Sequence, residues 1–250
     1  MTFYAIVLIA IFVAAAAAFV TLLFVAAPYG RYLRRGWGVA LTARWAWFLM
    51  EFPAALVIFL TALFGNSTDP PALFFLVIWE VHYLYRSILY PMLLKDNRSR
   101  NMPSTLILMA VLYNCANGYV NGHHLFVAAH EYATSWFADP RFIIGMVLFV
   151  GGMVLHIWSD RILQRLRRPG TQEYRIPYGG MFRFVSSPNY LGEIVQWCGF
   201  ALATWSLPGL SFAVFTIANL LPRGLSNHRW YRENFEDYPE ERKAVVPLVL

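Results

Sequence analysis

Charged side chains are scarce in this chain. They make up 14% of its 250 residues, whereas hydrophobic residues make up 58%. A soluble globular domain carries about 25% charged residues. The composition therefore excludes an ordinary soluble enzyme and predicts a membrane protein, with a length that suits one compact domain over residues 1–250.

Cysteine and lysine are rare, and the common nucleotide-binding motifs are missing. Cys115 and Cys198 both lie in apolar runs and form no CxxC pair, so we expect buried thiols and no metal site. The sequence has neither GxGxxG nor GxxxxGK[ST]. Any nucleotide-binding site must therefore differ from those of the soluble dinucleotide-binding folds. Lys95 and Lys243 lie outside the apolar runs, which argues against a seven-helix retinal protein; a receptor is the other non-enzyme alternative.

Long apolar runs dominate what is present. A run of about 20 apolar residues crosses a bilayer as a helix, because backbone polar groups must pair internally in lipid. The first run lacks a basic leader and exceeds a signal-peptide core, so we expect it to be retained. The sequence predicts an all-α membrane protein, a seven-transmembrane-helix bundle with spans at 3–27, 43–64, 72–94, 103–128, 141–159, 190–207 and 209–224.

Basic residues are distributed unevenly between the connections. Eighteen of the 20 lie in the first, third and fifth connections and in the tail. This asymmetry places those segments in the cytosol and the N-terminus outside. The long connection 160–189 and the tail 225–250 are then cytosolic. The net charge of +6 reflects topology or anion binding, and we expect membrane lipids rather than nucleic acid as partners.

Polar residues inside the predicted spans are site hypotheses, because ionisable groups are costly in lipid. Glu51 and Tyr83 lie roughly 12 and 16 Å deep at about 1.5 Å per residue, and Asn114 lies at a similar depth. We therefore expect these three side chains to share a pocket that opens towards the cytosol. Glu80 and Arg86 are interpreted either as a structural pair or as part of the site.

Several segments resemble the steroid 5α-reductase family. The most specific are SDRIL at 159–163, SSPNYLGE at 186–193 and HRWY at 228–231, with FEDYP at 235–239 in the tail. The N-terminal half matches more thinly, through 47–51, 82–83 and 97–100. The resemblance covers nearly the whole chain.

The resemblance implies NADPH-dependent reduction of the 4,5 double bond of 3-oxo-Δ4 steroids, such as testosterone or progesterone, by hydride transfer to C5. Glu51 and Tyr83 match the positions that hold the 3-carbonyl oxygen, where a hydrogen-bond donor stabilises the enolate formed. Tyr83 donates directly, whereas Glu51 either donates when protonated or orients the phenol. The apolar substrate is expected to enter from the bilayer, and a monomer is compatible with the sequence.

The resemblance also implies a set of cofactor-binding residues on the cytosolic side. Arginine suits the phosphates because it binds them in bidentate fashion, although any single arginine here also fits a lipid-headgroup role. The implied residues are Tyr29, Arg31, Asn97, Arg100, Asp160, Arg167, Tyr174, Asn189, Glu193, Arg223, Asn227 and Tyr231.

The chain departs from the family pattern at a few positions. Met50 stands where animal members have Gln, Met109 replaces an Arg, His156 replaces an Asn and Asn227 replaces a His. These differences bear on substrate preference more than on chemistry. The alternatives are a sterol, polyprenol or enoyl reductase of the same type, and an S-adenosylmethionine-dependent isoprenylcysteine methyltransferase, whose C-terminal half is similar.

Overall fold

The protein is described by a computed structural model covering residues 1–34, 36–94, 101–128, 132–166 and 174–250. Each predicted apolar run corresponds to one long helix in the described part of the chain. The helices are α1 (Phe3–Phe24), α2 (Ala43–Phe64), α3 (Pro70–Leu93), α4 (Ser104–Phe126), α5 (Pro140–Leu166), α6 (Pro188–Thr204) and α7 (Leu207–Asn234).

The remaining regular structure is short. Strands β1 (Ala40–Leu41) and β2 (Met102–Pro103) pair antiparallel. Single 3₁₀ turns occupy Gly30–Tyr32, Thr134–Ala138 and Gly180–Arg183. The prediction of a mostly helical fold is confirmed.

Four of the helices, α1, α2, α3 and α5, are long and apolar enough to cross a membrane. Large apolar side chains such as Phe59, Val77 and Val147 lie exposed on their surfaces. Contiguous exposed apolar surface of this kind needs a covering phase, here lipid. Crossing by α4, α6 and α7, and the orientation of the bundle, stay predictions.

Two helices continue beyond the predicted spans. Helix α5 reaches Leu166 rather than residue 159, and α7 reaches Asn234 rather than residue 224. The predicted spans follow hydropathy, which falls where the sequence turns polar, while helical geometry continues. The α7 extension is about 15 Å long at about 1.5 Å per residue. Asp160 consequently lies within a helix and not in a loop.

Helices α5 and α6 pack with their backbones in close contact, through two pairs of glycines seven residues apart. A Cβ on Gly192 would lie 2.5 Å from the backbone nitrogen of His156, and one on Gly199 would lie 2.5 Å from the carbonyl oxygen of Gly145. No side chain fits at such distances, and small residues allow membrane helices to approach in this way. The packing brings His156 and Asp160 of α5 opposite the start of α6.

An aromatic core joins α3 to α6 and α7. It contains Phe75, Trp79, Tyr83, Trp197, Phe200 and Phe212. The indole nitrogen of Trp79 donates to the carbonyl oxygen of Ala54 at 3.2 Å, which anchors α2 to this core. Edge-to-face and tilted ring contacts fix the rotation of α3, and hence the direction of Tyr83.

The tail returns to the start of α6. The backbone nitrogens of Ser186 and Ser187 donate to the carbonyl oxygens of Lys243 and Ala244 at 2.8 and 3.0 Å. The Ser186 hydroxyl lies 2.6 Å from both His228 Nδ1 and the hydroxyl of Tyr238. These bonds hold the tail and the α7 extension against the loop that precedes α6.

Candidate active site

Arg86 is the centre of a buried polar cluster. It lies in a π-helical turn of α3, Tyr85–Leu89, a local distortion often found at functional sites. Its guanidinium lies 3.6 Å from Glu51, 3.5 Å from Asp160 and 3.4 Å from Glu193, and 4.3 Å above the ring of Trp47. One cation thus links helices α2, α3, α5 and α6.

His156 of α5 completes this cluster. Its Nδ1 lies 3.4 Å from a carboxyl oxygen of Glu193 and 3.3 Å from the carbonyl oxygen of Asn189, both acceptors. Its Nε2 lies 3.4 Å from an Arg86 nitrogen, which is a donor. A hydrogen on Nδ1 serves the first two contacts, while Nε2 also lies 3.6 Å from a carboxyl oxygen of Asp160. Asn189 in turn donates to Asp160 at 3.1 Å.

Of the two interpretations of Glu80 and Arg86, the structural pair is wrong. Arg86 pairs with Glu51 instead, and Glu80 has a buried oxygen without a hydrogen-bond partner among the described residues. Residues six apart on a helix with about 3.6 residues per turn point in directions roughly 120° apart. The two side chains therefore cannot face each other along α3.

Glu51, Tyr83 and Asn114 meet as their estimated depths suggested. The Tyr83 hydroxyl donates to Asn114 Oδ1 at 3.5 Å, and Asn114 Nδ2 donates to the carbonyl oxygen of Met50 at 2.6 Å. Asn114 also interacts with the Glu51 carboxyl, and Asn117 with Tyr83. Tyr83 is 2% exposed, so its hydroxyl is buried with Asn114 at the edge of the aromatic core.

Arg31 occupies an aromatic cage on the other side of the polar cluster. Its guanidinium carbon lies 4.4, 4.1 and 4.9 Å from the ring centres of Tyr174, Trp230 and Tyr231. The Nη1 atom is buried and has no hydrogen-bond partner among the described residues. Burial raises the pKa of the neighbouring Tyr32 to about 12, so its neutral phenol donates to the carbonyl oxygen of Ser226 at 2.9 Å.

Arg223 is placed similarly on α7. It lies 5.0 Å from the ring centre of Tyr29 and 5.1 Å from that of Tyr190, whose hydroxyl accepts from it at 3.2 Å. Asn227 also bonds to Tyr190. Across the described ranges, neither Arg31 nor Arg223 has a carboxylate within 4.0 Å. Both cations lack a counter-charge from the described protein, unlike Arg86.

The sequence matches a family model described as 3-oxo-5-alpha-steroid 4-dehydrogenase over residues 100–250. The chain belongs to this family. It is 42% identical to 3-oxo-5-alpha-steroid 4-dehydrogenase 1 of Rattus norvegicus, over 90% of this chain and 87% of the relative. It is 43% identical to the type 2 protein of Homo sapiens, over 91% and 90%. It is 39% identical to steroid 5-alpha-reductase DET2 of Arabidopsis thaliana, over 92% and 90%.

As a member of the 3-oxo-5-alpha-steroid 4-dehydrogenase family, the protein is an oxidoreductase acting on CH–CH donors. The methyltransferase and receptor alternatives are thereby set aside. The resemblance to steroid 5α-reductases is confirmed. The roles of individual residues stay predictions.

The implied cofactor residues of this dehydrogenase fall into two groups in the structure. Asp160, Asn189 and Glu193 belong to the polar cluster around Arg86. The others gather at the Arg31 cage and around Arg223: Tyr29, Arg31, Tyr174, Arg223, Asn227 and Tyr231. Asn97, Arg100 and Arg167 lie outside the described residues.

Two members of the polar cluster are absent from the implied catalytic and cofactor residues. For Arg86 the sequence left a structural pair and a part in the site as alternatives, and its central position depends on the π-helical turn, which the sequence pattern does not mark. His156 was noted only as a departure from the family. Its signal was available in principle, since His156 and Asp160 lie four residues apart on one face of α5.

Proposed function

We propose that the protein reduces the 4,5 double bond of 3-oxo-Δ4 steroids, using NADPH as the reductant. The observation that carries this proposal is that Tyr83 and Glu51 both contact Asn114, beside the charged cluster around Arg86. The steroid 5α-reductase relatives support the substrate class. Testosterone and progesterone are the substrates to test first.

Tyr83 is proposed to hold the 3-carbonyl oxygen of the steroid. Its bond to Asn114 is 3.5 Å long, which is weak for a hydroxyl donor, so the hydroxyl is readily transferred to a substrate oxygen. When a hydride reaches C5, negative charge develops on the 3-oxygen as the enolate forms. A preoriented donor in a site without water stabilises that charge.

Glu51 is proposed to act beside Tyr83 on the same oxygen. Three carboxyl groups, those of Glu51, Asp160 and Glu193, share one guanidinium. If all three were ionised and His156 neutral, the cluster would carry two excess negative charges. A proton on one carboxyl relieves that repulsion, and on Glu51 it forms a second donor towards the pocket.

The described residues on the cytosolic side fit NADPH. Arg31 has a buried nitrogen without a partner, and Arg223 has only a phenol; two unpaired cations suit the phosphates. Asp160, Asn189 and Glu193 offer acceptors and an amide for the ribose and carboxamide groups. When bound, NADPH supplies the hydride. Asn97, Arg100 and Arg167 are proposed to add further cofactor contacts, and the aromatic residues Tyr29, Tyr174 and Tyr231 to enclose the cofactor.

The bundle is proposed to span the membrane seven times, with its N-terminus outside and the cofactor side in the cytosol. The steroid then reaches the pocket from the bilayer. Reporter fusions at the end of the chain and after α1 test this arrangement. A C-terminal reporter on the outer side would contradict it.

The function is tested by incubating the purified protein in detergent with NADPH and progesterone or testosterone. We expect NADPH oxidation that depends on the steroid, and a product heavier by two hydrogen atoms. Replacement of NADPH by S-adenosylmethionine serves as the negative control. No turnover of a panel of 3-oxo-Δ4 steroids by folded protein that binds NADPH would reject the steroid assignment, and turnover of another apolar enone would move it to a related reductase.

A further inference from the structure

A charged cleft lies away from the candidate active site. It has a volume of about 520 Å³ and separates the turn before α6 from the returning tail. None of the proposed catalytic or cofactor residues line it. Its lining residues are Tyr178, Gly179, Gly180, Arg183, Phe184, Pro239, Glu241 and Arg242.

Arg242 is the unusual residue of this cleft. It is 3% exposed, and its guanidinium lies 4.9 and 5.2 Å from the ring centres of Tyr178 and Tyr238. In the described segments, its Nε and Nη1 atoms have no hydrogen-bond partner, and no carboxylate forms an ion pair with it. A buried cation with two unsatisfied nitrogens is costly, so a counter-anion in the cleft would stabilise the fold.

The turn and the tail give the cleft its shape. Gly179 and Gly180 have φ of 92° and 51°, so the turn needs residues that tolerate the left-handed region. On the tail side of the cleft, the backbone nitrogen of Lys243 donates to the carbonyl oxygen of Phe184 at 2.9 Å. This pairing holds Arg242 next to the turn even without a ligand.

The rim of the cleft has the composition of a membrane–water interface. Arg183 is exposed and adds a second positive charge, while Tyr178 and Phe184 are 58% and 47% exposed. Aromatic rings beside basic residues favour the headgroup region of a bilayer. Glu241 also lines the cleft, but it is exposed and forms no ion pair with Arg242 or Arg183 in the described structure.

We propose that this cleft binds a phosphate group, supplied by the headgroup of an anionic phospholipid. Arg242 provides the buried positive charge, Arg183 the exposed one, and Tyr178 with Phe184 contact the acyl boundary. Arg242 lies over the ring of Tyr238, and Tyr238 stacks on Tyr231 with ring centres 5.3 Å apart. Tyr231 in turn contacts Arg31. A bound headgroup would thus also fix the tail beside the Arg31 cage.

The test is thermal unfolding of the full chain in nonionic detergent, with three additives at matched ionic strength. These are a short-chain phosphatidylglycerol, the corresponding phosphatidylcholine, and inorganic phosphate, each compared with chloride. The variants are Arg242→Gln and Arg183→Gln. Arg161→Gln, an exposed arginine of α5 outside the cleft, is the matched control.

We expect the anionic lipid near saturation to raise the Tm of the wild type by roughly 5 °C. The rise should be lost in Arg242→Gln, reduced in Arg183→Gln and retained in Arg161→Gln. A stronger effect of the lipid than of inorganic phosphate assigns the phosphate to a headgroup, and equal effects assign it to free phosphate. If Arg242→Gln does not fold, Arg183→Gln still tests the cleft. No rise with either anion, or an unchanged rise in both cleft variants, would overturn the proposal.

Discussion

The two halves of the candidate active site use arginine in opposite ways. Arg86 lies within 3.6 Å of three carboxyl groups, so the protein itself supplies the partners of this cation. Arg31 and Arg223 are surrounded by aromatic rings and have no carboxylate partner in the described chain. The first region is organised before any ligand arrives, whereas the second is left with positive charge that an anionic ligand can neutralise. Under the proposed function, the first region would contact the steroid and the nicotinamide end of the cofactor, and the second would bind the cofactor phosphates.

Replacement of Arg86 should have the largest effect. Arg86→Met leaves three carboxyl groups without their cation, and removal of one partner from a buried ion pair costs about 3–5 kcal/mol. We expect a large fall in Tm or a loss of folded protein, and no turnover. Thermal unfolding in detergent measures this, with Arg161→Met, an exposed arginine of α5, as control. A wild-type Tm for Arg86→Met would show that the cluster does not hold the helices together.

Removal of the Tyr83 hydroxyl should abolish most turnover without unfolding the protein. Tyr83→Phe keeps the ring contacts with Trp79 but removes the donor to the substrate oxygen. We expect kcat to fall by roughly 10²–10³-fold, as for other donors to a developing oxyanion. Tyr119→Phe, which changes a phenol that packs near Phe3, is the matched control. Retention of kcat in Tyr83→Phe would remove this residue from the mechanism.

Replacement of Arg223 should affect the cofactor more than the chemistry. Arg223→Met removes an unpaired cation, and a hydrogen bond to a charged group contributes about 1.5–3 kcal/mol, or roughly ten- to hundredfold in affinity. We expect the KM for NADPH to rise by that factor while the KM for the steroid changes little. Arg229→Met, an exposed arginine on the same helix, should behave as the wild type. Equal losses in both variants would deny Arg223 a specific role.

A partly exposed ion pair provides the contrast to the buried cluster, and its effect should be the smallest. Hydrogen bonds from Arg141 at 2.8 and 2.9 Å lower the pKa of Asp139 to about 2, below the value of about 3.9 in an unfolded chain. A carboxyl with a lowered pKa stabilises the fold above the unfolded pKa, and this contribution is lost as the pH falls from about 4 to about 2. Asp139→Asn should therefore lower the Tm slightly at pH 6, with the difference from wild type vanishing near pH 2. A difference that persists at the acidic end would contradict this origin.

Much of the architecture was readable from the sequence because apolar runs and helices obey the same length rule in lipid. The runs located all seven helices of the described chain, and simple depth estimates brought Tyr83 and Asn114 together. Both succeeded because α-helical geometry is regular over those stretches. The missed ends of α5 and α7 lie where the helix leaves the apolar region and hydropathy no longer reports on it.

The polar cluster was less accessible to prediction, because a local irregularity and long-range packing decide it. The π-helical turn at Tyr85–Leu89 directs Arg86 towards Glu51, which has no basic residue near it in sequence. The position of His156 depends on the close contact between α5 and α6 at their glycines. Neither feature has a periodicity that the sequence displays on its own.

The most direct test of the division into two regions is an experimental structure of the protein with NADPH and a 3-oxo-Δ4 steroid bound together. We predict the steroid 3-oxygen within hydrogen-bonding distance of Tyr83 and Glu51, and the cofactor phosphates beside Arg31 and Arg223. A steroid carbonyl placed away from Tyr83, or phosphates located at Arg86 instead of the two unpaired arginines, would contradict the account.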